Sequence, residues 1–162
     1  MRQLTPGMIL LFILPLALQS ASIAQSPKFV AGGADSVSAV VIDDCPLLHS
    51  SQMWSTDTEQ LWQRVQALLK KSRSDTSSIV KLNLYAISPE RLAVFEADIL
   101  ERFPDTRRPA VCAVVTPLPN RTDVALDFVA AGKTTSSDFK RGVKVIREDK
   151  DVARILPEGK RI

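Results

Sequence analysis

The sequence predicts an α+β fold: one mixed sheet with two helices packed on one of its faces. Three observations carry this. Residues 79–87 alternate apolar and polar side chains at strand period. Residues 56–72 and 88–103 repeat their apolar side chains at helical spacing. Further β-branched runs stand at 37–42, 110–115 and 124–130. The order is ββαβαββ, so helices alternate with strands after an opening hairpin, and both pack on one side of the sheet. The opposite face is left for something else to cover, and a second copy of the chain is the natural cover. A length of 162 residues allows one core rather than two full α/β domains.

Near the N-terminus, Arg2 precedes an apolar run over residues 8–18. A membrane-spanning helix needs about 20 apolar residues, whereas the core of an export signal needs about 7–15. The run has the shorter length, Pro15 interrupts it, and Ser22 and Ala24 place small residues at a cleavage site. Residues 1–24 are therefore expected to be a signal peptide cut after Ala24. The mature protein would lie in the periplasm or medium, with no membrane segment. Arg2 is the only charged residue removed, so the formal charge falls from +3 to +2. Residues 25–36 are rich in small and turn-forming types without periodicity and read as a flexible lead.

The folded domain is expected over residues 37–131. The run 37–42, the turn residues Asp43, Asp44, Cys45 and Pro46, and the run 47–49 predict a hairpin. Thr56 and Glu59 form a capping box for a first helix that buries Leu61, Trp62, Val65, Leu68 and Leu69. In the strand that follows, Val80, Leu82, Leu84 and Ala86 share one face, and Lys81, Asn83 and Tyr85 the other. Ser88 suits the cap and Pro89 the first turn of a second helix, whose buried stripe is Leu92, Phe95, Ile99 and Phe103. The run 110–115 is apolar on both faces, as in a central strand covered on both sides. Residues 124–130 complete the set.

Residues 132–162 form a polar tail that ends in an apolar run. Val40-Val41-Ile42 set beside Arg154-Ile155-Leu156 gives strand, turn and strand again. Two readings stand: the start of a truncated second repeat, or a coincidental C-terminal strand. Residues 131–162 hold nine Lys or Arg against five Asp or Glu. That excess is scattered, as on a solvated segment, so no nucleic-acid partner is expected. Cys45 and Cys112 permit one disulfide in an exported protein, but Cys112 lies in an apolar run and reads as a small buried thiol. His49 stands alone and reads as structural. Zinc spacing, a Walker loop and a dinucleotide loop are all missing from the sequence, so neither metal nor cofactor is expected.

Three short motifs occur in order: Ser50-Ser51-Gln52, Val80-Lys81-Leu82-Asn83-Leu84-Tyr85 and Pro117-Leu118-Pro119. With the element order they make residues 37–131 resemble the RidA (YjgF) family. Arg108-Pro109-Ala110-Val111 and Asp127-Phe128-Val129-Ala130 are similar to a divergent branch of it. The resemblance implies a chorismate-mutase-like fold, a homotrimer, and small-molecule clefts between subunits. There, members hydrolyse reactive enamines and imines to ketoacids and ammonia, and some relatives have borne an endoribonuclease label. The candidate cleft residues are Gln52, Arg107, Arg108, Ala110, Cys112, Ala125 and Asp127, although Arg107 and Arg108 also read as a solvated loop pair and Asp127 as a fold-supporting carboxylate.

Active members carry an Arg where this chain has Ala110, to pair with a substrate carboxylate. They also carry a Glu where it has Ala125, to position water. Arg108 and Asp127 each lie two residues away, about 6–7 Å along a strand, too far to substitute. No catalytic residue is therefore expected. The first reading is an exported RidA-like domain without catalysis, a small-molecule-binding or interaction module; the alternative is a deaminase or endoribonuclease using relocated residues. The family also has a longer turn and another strand after the Gln52 position, where only Met53, Trp54 and Ser55 intervene here, so a shortened edge is expected.

Overall fold

The computed structural model describes residues 27–31, 37–42, 45–132 and 144–156. The expected signal peptide and its cleavage site lie outside the described residues. The strands are β1 (Lys28–Ala31), β2 (Val37–Val41), β3 (Leu47–Ser50), β4 (Met53–Ser55), β5 (Ile79–Ala86), β6 (Ala110–Val115), β7 (Val124–Ala131), β8 (Lys144–Glu148) and β9 (Asp151–Leu156). The helices are α1 (Thr58–Lys71) and α2 (Pro89–Leu100). A mixed sheet runs β6-β5-β7-β3-β9-β8, with β4 also paired to β7, while β1 and β2 form a separate two-stranded ribbon. β5 and β6 are parallel and the other pairs antiparallel. Both helices pack on one face, as expected. Among the described residues no helix is long and apolar enough to cross a membrane.

The centre follows from alternation. Leu82, Leu84 and Ala86 of β5 and Val124, Leu126, Phe128 and Ala130 of β7 are buried under the helices. A register shift between Ile79 and Lys81 lets Ile79 and Val80 both be buried at the start of β5. α1 buries the five expected side chains. Its cap is Asp57 rather than Thr56: the carboxylate accepts from the Glu59 and Gln60 amides at 2.8 and 3.3 Å. β4 runs to Ser55, so the chain completes its turn one residue later than the capping box implies. In α2, Ser88 accepts from the Arg91 amide at 3.2 Å and Pro89 occupies the first turn. Trp62 meets Phe103 edge to face at 5.7 Å, with the Arg102 guanidinium over its ring.

Several expectations change. β2 does not pair with β3; it pairs with β1, and the edge of β3 carries β9 instead, Leu48 opposite Ile155. The lead thus contains a strand. The tail contains a hairpin that extends the sheet beyond residue 131, held by Arg64 bonding both carboxylate oxygens of Asp151 at 2.8 and 2.5 Å and by Lys71 on Glu148. The Met53-Trp54-Ser55 segment, expected to lack a strand, is itself β4.

β6 is an edge strand rather than a central one. Val111 packs on the core, but Cys112, Ala113, Val114 and Val115 are exposed in the single chain. An unbroken apolar run suits an interface edge as well as a buried centre. The Cys112 thiol is therefore exposed, not buried. Two strands separate β6 from β3, which follows Cys45, at about 4.8 Å per step, beyond the reach of a disulfide between Cys45 and Cys112.

Candidate functional site

The face of the sheet opposite the helices carries the polar residues, and the strand registers arrange them in three rows. One row places Cys112 of β6, Asn83 of β5 and Asp127 of β7 side by side. A second runs Ala110, Lys81, Val129, His49 and Arg154 across five strands. The third runs Val114, Tyr85, Ala125 and Trp54.

Asp127 is the hub. Asn83 donates to one carboxylate oxygen at 2.6 Å, and the Tyr85 hydroxyl donates to the other at 3.0 Å. Burial pushes the Tyr85 phenol above its ordinary range, and the hydrogen bond to Asp127 adds to this by favouring the protonated form. Burial also lowers the His49 imidazole below 6.5, although the Asp127 charge pulls the other way. Its Nε2 is buried without a hydrogen-bond partner.

Ala110 and Ala125 both lie on this face, Ala125 fully buried. The exposed Lys81 ammonium is carried on the strand directly beside Ala110. Cys112 and Asp127 join the same face, each opposite Asn83. The arginines do not join the cluster by any bond among the described residues. Arg107 is exposed in a single 3-10 turn at Asp105–Arg107, and Arg108 is paired with Asp105 at 2.7 Å while its Nε is buried unpartnered. Gln52 is exposed in the short link between β3 and β4.

The Ser-Ser-Gln segment has a structural task. Where pairing to β7 passes from β3 to β4, the Ser50 hydroxyl accepts the Phe128 amide at 2.8 Å. Ser51 bonds Val152 of β9 through its own amide, at 2.7 Å, and through its hydroxyl. The sequence reading left out Asn83, Tyr85, Lys81 and His49 as site residues. The signal for the first three was present: they alternate with Leu82 and Leu84, so they face away from the helices, like Asp127.

No protein-family model and no curated protein matches the chain. Solved structures do. A protein of unknown function of the conserved Rid family from Yersinia pestis is 15% identical with TM-score 0.56, covering 66% of this chain and 99% of that one. A YjgF-family member from Neisseria meningitidis is 15% identical with TM-score 0.51, over 69% and 99%. Yeast Mmf1 is 22% identical with TM-score 0.50, over 65% and 94%. At this identity the likeness speaks for the fold: two helices on a mixed sheet, in the RidA-like, chorismate-mutase-like arrangement.

Proposed function

We propose that the protein is an exported RidA-like domain that binds a small carboxylate-bearing molecule on its open sheet face without deaminating it. The observation that carries this is the chemistry at three positions of that face, one in each row. Ala110 offers a methyl where the resemblance calls for a carboxylate-binding Arg, and Ala125 another where it calls for Glu. Asp127, the nearest acid, has both oxygens occupied by Asn83 and Tyr85. The carboxylate is thus held by two donors of its own face, which fix its direction along the sheet. Lys81, beside Ala110, supplies a cation as a point charge rather than a planar fork, which suits holding an anion better than orienting it for attack. Arg108 as a relocated anchor is opposed by its pairing with Asp105. Further copies of the chain, two in the homotrimer that the resemblance implies, would cover the open face. The exposed Val114 and Val115 on the β6 edge support such an assembly.

The test measures ammonia or ketoacid release from freshly generated iminoacid. The expected rate is that of the uncatalysed control, while titration with small ketoacids gives saturable binding that Lys81→Ala weakens by roughly tenfold or more. Turnover abolished by Asp127→Ala or Arg108→Ala would establish the deaminase reading instead. Light scattering on the mature protein tests the assembly, and a monomer at micromolar concentration would refute it. Mass spectrometry of exported protein should give an N-terminus near Gln25, and retention of Arg2 would overturn the export reading.

A further inference from the structure

The two hairpins at the ends of the described chain are built to one pattern. In β1–β2 the registered pairs are Lys28 with Val41, Phe29 with Val40, and Val30 with Ala39. In β8–β9 they are Lys144 with Ile155, Val145 with Arg154, and Ile146 with Ala153. Superposed pair on pair, Lys28 matches Lys144, Val30 matches Ile146, Ala39 matches Ala153 and Val41 matches Ile155. The same alignment sets Val40-Val41-Ile42 on Arg154-Ile155-Leu156, the echo visible in the sequence alone.

Their surroundings differ. In β8–β9, Ile146 and Ile155 are 7% and 1% exposed, inserted under α1 beside β3. In β1–β2 the matching Val30 and Val41 are 48% and 49% exposed. The N-terminal ribbon therefore presents to solvent the pair of side chains that its counterpart buries. The link from β2 to β3 also suits direct pairing. With Val41 opposite Leu48, as Ile155 is now, residues 43–46 would form a four-residue hairpin loop containing Asp, Asp, Cys and Pro.

We infer that the edge of β3 under α1 is a seat for either hairpin, and that β1–β2 docks there within the same chain when β8–β9 leaves. The clamp decides which hairpin is held. Asp151, two residues before Ala153, accepts two of the three Arg64 hydrogen bonds, the third going to the Trp54 carbonyl; two residues before Ala39 stands Val37, which has no carboxylate to offer. Arg64 thus favours the C-terminal hairpin, and its loss leaves Asp151 buried and unpaired in that arrangement alone. The exchange changes the open face too: Arg154, in the row of His49 and Lys81, gives way to Val40, so a cation leaves the candidate site.

Disulfide trapping in the full chain, with Cys45→Ser and Cys112→Ser, tests this. His49→Cys with Arg154→Cys reports β9 on β3; His49→Cys with Val40→Cys reports β2 there, since directly opposed residues lie within disulfide range. Both pairs should close within one chain. Adding Arg64→Leu should raise the Val40 product relative to the Arg154 product by roughly tenfold or more. With Arg64 intact, Val41→Lys should suppress the Val40 product by putting a charge where Ile155 is buried. Failure of the Val40 pair to close in the Arg64→Leu chain, while the Arg154 pair closes, overturns the inference. So does a Val40 product unchanged by Val41→Lys, or one found only as a linked dimer.

Discussion

The two faces of β5 and β7 are made by the same backbone and differ in almost every other respect. Toward the helices, Leu82, Leu84, Leu126 and Phe128 are at most 1% exposed and belong to the apolar core cluster. Toward the other side, Asn83, Tyr85 and Asp127 remain half-exposed and are joined by two hydrogen bonds. The difference teaches where specificity is stored. The apolar face holds most of the stabilisation and says nothing of function. The polar face contributes little net stability per bond, yet it orients every group that a ligand or a second copy could meet.

The largest effect that would sharpen this contrast is Phe128→Ala, expected to cost about 3–5 kcal/mol in denaturant unfolding. Asp151→Ala should follow at about 3 kcal/mol, because it strands the Arg64 guanidinium, whose side chain is only 18% exposed. On the open face, Asp127→Ala leaves two donors unmatched and should cost about 1–2 kcal/mol, less because water can reach them. A loss equal to that of Phe128→Ala would break the comparison, since the polar cluster would then be part of the core.

A smaller effect is pH dependence. The folded His49 imidazole titrates below the ordinary 6.5, so just beneath pH 6.5 the unfolded chain binds the proton and the folded one does not. Stability should fall as pH drops through that window and level off once the folded group is protonated. His49→Gln should flatten the slope in unfolding measured at several pH values, and an unchanged slope would remove His49 from the account. The smallest effect on the single chain is Val114→Ser. It should alter unfolding stability by no more than about 0.5 kcal/mol, the side chain being 39% exposed, while lowering self-association in light scattering.

The elements were legible because their signals are local. Ser88 and Pro89 announce the start of α2 through one hydroxyl and one fixed dihedral, and the alternation of β5 names its two faces within eight residues. Asp127 was legible as a candidate because its place follows from counting along one strand. Its engagement was not, since Asn83 and Tyr85 reach it across a strand pairing that lies 44 and 42 residues away in the chain.

By itself the sequence determined the two helices, the strand segments β5, β6 and β7, and the separation of polar from apolar along β5. Only the tertiary structure decided strand partners. β2 and β9 carry the same alternation, so either satisfies the edge of β3 locally, and the choice falls to a contact between α1 and the C-terminal hairpin, Arg64 with Asp151. It also decided that β6 lies at the edge, because six apolar residues record that a strand will be covered and not by what. Periodicity is a property of one segment; pairing is a competition among segments, settled by contacts that no single segment contains.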